Sequence, residues 1–410
     1  MEFIIGTAAS VLSDIHDQPI MIPDGMGGWT SKAANEPCIG PEGLQTIPTR
    51  TNAVRNSSAA GGAAGVLPTY WTEFVGGLGT MTSIKHGVHS AKGLPVFRYQ
   101  VVGTPASSNG TILRPDGSNQ NTLAATVGRI VVLTIFLRRV AGDLSQFTTI
   151  RPRILERNSG GVLHTHYSGN LREQITDDLK RFTMIVTVTN AATTHVTLDF
   201  EMAYAAAVNA TLDFGVPQLE LGTFASPPIL TSAGAIPQTG NLQVVNLAGK
   251  LSNGFAGFVR FNLKALPAAG TTPWLVLMFS DGTNNERVRI QLNPQVDGSC
   301  RFGLYSMTGG VETASVATLA AMPVAVGKHT LAFAAAPGNL FLRWLGDTQR
   351  NAPGGAYPTT MSQLSIGSRG FIADQANAFM NTEKLDLAFG TPERPVNQAL
   401  FDQVYARAAA

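Results

Sequence analysis

The sequence predicts an all-β protein: two consecutive antiparallel β-sandwich bodies of jelly-roll type, an irregular N-terminal arm and a short C-terminal helix. Three observations predict it. Apolar residues alternate with polar ones at a period of two in several segments of strand length. Turn-formers recur between those segments, with 43 Gly and 23 Pro spread along 410 residues. Charged residues make up only 14% of the chain, against roughly 25% in average soluble domains. Thr, Asn, Ser and Gln carry the remaining polarity, which suits exposed strand faces and turns.

Residues 1–52 form the expected arm, a docking segment. Turn-formers dominate there, from Pro19 and Pro23-Asp24-Gly25 to Gly40-Pro41 and Pro48, with Ile4, Ile5, Val11, Leu12, Ile20 and Ile22 as apolar anchors. The first sandwich is placed at 53–228. Its Ile130–Leu137 run is apolar on both faces, as in a strand covered on both sides. In Phe182–Thr189 the even positions face the core, with Ile185 the exception. In His195–Tyr204 the inner row is Val196, Leu198, Phe200, Met202 and Tyr204, and Thr197, Asp199 and Glu201 face outward.

A Pro-rich linker is expected at 229–241 and the second sandwich at 242–410. There Val259, Phe261 and Leu263 alternate with polar residues, as do Val288, Ile290 and Leu292. The turn Asp281-Gly282-Thr283-Asn284-Asn285 joins two of its strands as a hairpin. After Pro395, Leu400, Phe401, Val404 and Tyr405 fall at helical spacing and predict the terminal helix.

Two phrases carry a resemblance. Arg55-Asn56-Ser57-Ser58, leading to Leu67-Pro68-Thr69-Tyr70-Trp71, resembles the opening of jelly-roll modules in bacteriophage proteins, with Tyr70 where that pattern carries Asn. Val216-Pro217-Gln218-Leu219-Glu220-Leu221-Gly222-Thr223-Phe224 resembles the strand that closes such a carbohydrate-binding-module-like jelly roll in phage tail and fibre proteins. The strand series after residue 242, through His329–Phe333, Leu340–Trp344, Leu364–Ser368 and Lys384–Phe389, resembles concanavalin-like and laminin-G-like sandwiches. The resemblance implies a virion structural protein of a tail fibre, a baseplate or a capsid-decorating apparatus, made in the host cytoplasm. Its expected partners are other virion proteins and copies of itself, with a homotrimer as the assembly, and a host-surface glycan.

No enzymatic activity and no cofactor are expected. The sequence holds no G-x-S-x-G elbow, phosphate-binding glycine loop or H-E-x-x-H zinc helix. Net charge is +2 without a basic stripe, which argues against nucleic acid as a partner. No apolar run approaches the ~20 residues of a membrane-spanning helix, and Met1–Gly6 lacks the pattern of a secretory signal. Cys38 and Cys300 are too far apart in sequence to suggest a disulfide framework or a paired-cysteine zinc site. His164 and His166 share one strand face but lack a third ligand, and His86 and His89 read as solvated.

The candidate carbohydrate site is Asp281, Asn284 and Asn285 in the hairpin turn, with Trp274 as an exposed aromatic platform; the same oxygens suit calcium. Asp116, Asn119 and Asn121 form a second polar loop. The alternative function is a polysaccharide-degrading enzyme or its carbohydrate-binding accessory, with Asp199 and Glu201 as the carboxylate pair that glycoside cleavage requires. The register of His195–Tyr204 has a direct check. Phe200→Ala is expected to cost about 3–5 kcal/mol in a melting assay and Thr197→Ala much less; equal, small losses would show the register to be wrong.

Overall fold

The computed structural model describes residues 2–3, 13–15, 19–24, 26–34, 39–40, 43–44, 50–77, 79–117, 122–223, 225–238, 242–247, 251, 253–263, 266–267, 273–283, 285–318, 324–347, 349–353, 356–367, 382–391 and 397–409. The expected all-β architecture is present, built from antiparallel sheets with one α-helix among the described residues. The chain divides into two compact units. One comprises Met26–Thr30 and Arg50–Gln238; the other comprises Met1–Gly25, Ser31–Thr49 and Thr239–Ala410.

The Arg50–Gln238 unit packs two sheets face to face. One is five-stranded, in the order Lys180–Thr187, Ile130–Gly142, Val208–Leu221, Leu94–Gly103 and Thr82–Ala91. The other runs Leu163–Ser168, Phe147–Arg157, His195–Tyr204, Asn109–Arg114 and Thr72–Val75, with Leu123–Ala124 also paired to His195–Tyr204. The core between them holds Phe97, Tyr99, Leu133, Phe147, Phe200 and Phe214, all nearly inaccessible to solvent. The inner row of His195–Tyr204 is as the alternation predicts, and so is that of Lys180–Thr187, where Ile185 is 49% exposed. Ile130–Gly142 is indeed covered on both faces. On its outer side Phe136 meets Trp29 edge-on at 6.0 Å, and the Arg181 guanidinium lies 5.6 Å from the Phe136 ring centre.

Strand phase changes once in Val208–Leu221. Up to Phe214 the even positions face the core, yet beyond the bulge it is Leu219 that does so. The pairing with Ile130–Gly142 slips there, from Phe136 opposite Gly215 to Thr134 opposite Gln218. Val216 takes a φ of +42° at this point, a conformation costly for a β-branched residue and of the kind a β-bulge imposes. The slip turns Gln218 and Glu220 to the outer face, where both are fully buried.

A polar closure forms over them. The Asn52 side-chain amide donates to the carbonyls of Pro217 and Ile229 at 3.2 and 3.0 Å, and its oxygen accepts from the Leu219 and Val54 amides, both at 3.1 Å. Glu220 accepts from the Ser226 amide and hydroxyl at 2.8 and 2.7 Å. Gln218 accepts from the Ile229 amide at 2.8 Å, and the Thr231 hydroxyl donates to the carbonyl of Val54 at 2.5 Å. At the other end of the opening phrase, Trp71 Nε1 donates to the Asn56 carbonyl at 2.8 Å, and the Asn56 amide donates to Thr69 and Ala60.

Part of the segment expected as a linker, 229–241, is tied to the first unit. Ile229 and Thr231 are buried against the first sandwich, and Ile236–Gln238 pairs with Arg50–Asn52. Much of the expected linker therefore has backbone groups satisfied within this body, which a free linker would leave to water. Residues 239–241 lie outside the described residues.

The second unit also has two large sheets, besides the two-stranded pairing of Ile39–Gly40 with Gly43–Leu44. A six-stranded one runs Glu2–Phe3, Thr382–Thr391, Phe255–Leu263, Gly327–Ala336, Asn339–Trp344 and Arg350–Pro353. A seven-stranded one runs Ser13–Ile15, Leu242–Asn246, Gln363–Gly367, Trp274–Ser280, Arg287–Pro294, Cys300–Thr308 and Val311–Ala317. Phe255 stacks on Phe279 at 3.7 Å in its core, and Phe333 packs edge-on against Phe255. Residues assigned in sequence to the arm thus form edge strands of both sheets: Glu2 pairs with Thr391 and Ser13 with Val244. Covering a sheet edge satisfies its open hydrogen-bonding groups, a reason for the segment to lie there. Cys300 is a buried free thiol; Cys38 lies outside the described residues.

The expected helix spans Gln398–Ala409. The Asn397 side chain caps it by accepting from the Leu400 amide at 3.0 Å. Phe401, Val404 and Ala408 face Ala256, Ala332, Ala334 and Ala336, whose small side chains permit close approach, and Phe401 stacks on Phe341 at 5.4 Å.

Asn52→Ala tests the closure. It strands the Leu219 and Val54 amides and two carbonyls in a dry site, so a loss of more than about 3 kcal/mol is expected in denaturant unfolding of the full chain.

Candidate functional site

The hairpin turn proposed as a sugar site is organised by its own residues. Asp281 Oδ1 accepts from the Thr283 amide and hydroxyl at 2.8 and 2.6 Å, and Thr283 Oγ1 accepts from the Asn285 amide at 3.1 Å. The Asn285 carbonyl accepts from the Gly310 amide at 3.0 Å, and Glu286 Oε1 accepts from the Gly309 amide at 2.8 Å. The turn is thereby fastened to the neighbouring hairpin. Asn284 lies outside the described residues.

Trp274 does not join this group. It opens the strand Trp274–Ser280 and pairs with Leu292, whereas Asp281 follows the strand's other end. At about 3.3 Å per residue the two are roughly 20 Å apart. Trp274 is also 8% exposed, so the expectation of an exposed platform beside the turn is corrected: the ring lies at the far end of the hairpin and is buried. Among the described residues no cluster of three His, Cys, Asp or Glu side chains is placed to hold a metal ion. His164 and His166 do share a face of Leu163–Ser168. Asn119 and Asn121 lie outside the described residues, while Asp116 is buried and paired with Arg55 at 2.6 Å.

The densest charge array is on the outer face of the sheet that contains His195–Tyr204. Antiparallel pairing sets Arg153 opposite Asp199 and Arg151 opposite Glu201. Arg153 grips Asp199 with two bonds of 2.6 and 2.7 Å and reaches Glu201 at 3.3 Å, and Arg151 binds Glu201 at 2.6 Å. Such two-pronged pairs are strong and directional. They explain why Asp199 is 1% exposed on a face expected to be solvated. The two carboxylates that a glycosidase reading would need are therefore tied up as partners of arginines. Arg114 and Arg157 extend the same face.

Sequence reasoning missed these arginines. The signal was present, because Arg151, Arg153 and Arg157 sit at odd positions of Phe147–Arg157, in phase with Asp199 and Glu201 on the neighbouring strand. Cross-strand charge matching would have found them once the pairing was known.

Two other carboxylates are buried in the same unit with opposite consequences. Burial alone would push the Glu156 carboxyl up. Donors from Thr193 Oγ1 and Tyr167 OH, both at 2.6 Å, and from the Thr189 and Asn190 amides at 2.9 and 3.0 Å outweigh burial and hold it below the ordinary range. Burial raises Glu220, and its bonds from Ser226 offset only part of that. Nearby, burial lowers the Arg181 guanidinium to about 10, although Glu220 pulls it back up. Arg181 donates to the Ser226 carbonyl at 2.6 Å and to Thr134 Oγ1 at 3.0 Å.

Neither a known protein family nor a curated protein matches the chain in sequence. Solved structures give weak likenesses. The tailspike protein 2 enzymatically active domain of bacteriophage CBA120 is 16% identical with a TM-score of 0.32, over 43% of this chain and 27% of that one. The tripod from the baseplate of bacteriophage Tuc2009 is 11% identical with a TM-score of 0.30, over 75% of this chain and 96% of that one. The tandem CBM22 domains of Paenibacillus barcinonensis Xyn10C are 9% identical with a TM-score of 0.26, over 85% and 97% respectively.

The Glu156 network gives a pH test. An unfolded glutamate titrates near ~4.3 and the folded one lower, so the unfolded chain takes up the proton first as pH falls. The stabilisation is complete above the unfolded value and is lost as pH drops through the folded one. Glu156→Gln is expected to lower the melting temperature near neutral pH, with the gap to the parent chain closing as pH falls below about 4. A gap that does not depend on pH would refute the depressed titration.

Proposed function

We propose that the chain is a non-enzymatic structural component of a bacteriophage virion, in the tail fibre, the baseplate or a capsid-decorating apparatus. It acts by assembly with other virion proteins and with copies of itself, and by adhesion to host-surface glycan. One observation carries this reading. The two phrases that resemble phage jelly-roll modules, Arg55–Trp71 and Val216–Phe224, lie far apart in sequence yet both bond the segment 229–231, Ser57 through Ile229 and Thr231 and Gln218 through the Ile229 amide. Ser57 Oγ donates to Ile229 O at 2.9 Å and accepts from the Thr231 amide at the same distance, while Asn52 holds Pro217 and Leu219. Bonding of both phrases to one shared segment supports reading them as the opening and closing seams of one module.

Self-association accounts for a further feature. The edge strand Thr82–Ala91 presents Ile84 and Val88, 42% and 39% exposed, and Val66 beside them is 53% exposed. Segment 63–66 meets this edge at His86 and Lys85; apolar residues left exposed on an edge strand are an aggregation hazard in an isolated chain, and a closed symmetric assembly covers them. A homotrimer is the assembly proposed. The arginine pairing of Asp199 and Glu201 supports adhesion over glycan cleavage, since both carboxylates already serve as ion-pair partners.

Gold-labelled antibody against the chain is expected to decorate intact phage particles at one discrete location. Unlabelled particles would defeat the virion reading. Release of reducing ends from host capsular glycan, abolished by Asp199→Asn or Glu201→Gln, would replace adhesion with catalysis.

A further inference from the structure

A polar groove of about 190 Å³ opens on the arginine-bearing face of the first sandwich, lined by Arg114, Asp116, Gly117, Leu155, Arg157 and Thr197. Its chemistry is lopsided. Asp199 and Glu201 are consumed by Arg151 and Arg153, and Asp116 by Arg55. Arg114 is exposed and makes no side-chain hydrogen bond or ion pair among the described residues. Arg157 has one guanidinium nitrogen on the Gly161 carbonyl at 2.6 Å, and its Nε makes a long 3.4 Å contact with Thr197 Oγ1. The groove therefore carries positive charge that the surrounding side chains leave uncompensated. Burial lowers the Arg157 guanidinium below its ordinary range; Asp199 offsets part of this, and the charges of Arg114 and Arg153 add to it. An anion between Arg114 and Arg157 would relieve that repulsion.

We infer that this groove binds a carboxylated sugar residue of an acidic glycan, its carboxylate held between Arg114 and Arg157 and a hydroxyl by Thr197. The geometry favours a sugar carboxylate over a phosphate group. Guanidinium groups pair with either, but the groove also carries the Thr197 hydroxyl and an apolar wall, which a sugar ring uses and an inorganic phosphate does not. Leu155 supplies an apolar surface for a ring face. The site deepens the adhesive role proposed above and rests on it, naming the class of glycan.

Calorimetric titration of the full chain with galacturonate, glucuronate and mannuronate oligomers, with neutral galactose oligomers and with inorganic phosphate tests the site. At least one uronate series is expected to bind, more weakly as salt rises, and the neutral oligomers are expected to bind less tightly. Arg114→Ala is expected to weaken that binding at least about tenfold, the size of a lost charge-assisted hydrogen bond, with an unchanged unfolding midpoint because the side chain is exposed. Arg157→Gln, which keeps a donor near Gly161, is expected to weaken it similarly. Failure of all three uronates, unchanged affinity in Arg114→Ala, or phosphate binding as tightly as uronate would each overturn the proposal. Labelled particles together with a chain blind to uronates would sink the groove alone, whereas uronate binding by a chain absent from particles would sink only the virion assignment.

Discussion

The first sandwich depends on a change of strand phase at Val216 and Pro217. Without it Gln218 and Glu220 would point into a core built from Phe97, Phe200 and Phe214, and Leu219 would point out. The bulge holds a β-branched residue in the left-handed region, a cost of order 1–3 kcal/mol. In exchange, the strand's last turn of alternation presents two buried polar side chains to the segments that pass over it. Ser226 and the Ile229 amide complete their hydrogen bonding, while Asn52, Ser57 and Thr231 fix the segments alongside. Buried polar groups are costly when half-satisfied and specifying when fully paired, so this closure fixes where the chain enters and leaves the body.

The same alternation governs the opposite sheet. One face of His195–Tyr204 feeds the core. The other carries acids that meet arginines from Phe147–Arg157 in register. The consequence is a rigid, charge-dense face whose acids are already neutralised. Arg114 and Arg157, at its margin, retain their charge and create the local field that an anionic ligand would sense. A chain that looks electrically balanced in composition, with net charge +2, is uneven in space.

How much of this was legible in the sequence depended on range. Period-two alternation exposed the core rows of Lys180–Thr187 and His195–Tyr204, and helical spacing exposed the Phe401 face, because those signals are local. The turn at Asp281 was legible as a turn. That its carboxylate would be used by Thr283 was also written locally, in the Asp-Gly-Thr order. The placement of Trp274 followed from strand length and was misjudged when proximity in sequence was taken for proximity in space. The arginine pairs and the Asn52 closure depend on which distant strands become neighbours, and no window of the sequence carries that information. The bulge at Val216 was hidden for a related reason, since Val and Pro give no local sign of a phase change.

The pairing of Glu2 with Thr391 and of Ser13 with Val244 bears on how the molecule is made. Strands Glu2–Phe3 and Ser13–Ile15 have no sheet to join until residues 242–246 and 382–391 are made. The two large sheets of the Arg50–Gln238 body, by contrast, find all their strands within one contiguous stretch. Translation thus completes the strands of one body before those of the other, and Glu2–Phe3 waits longest among the described strands for its neighbour. Chaperone dependence during synthesis would fall on that waiting segment rather than on the body completed first.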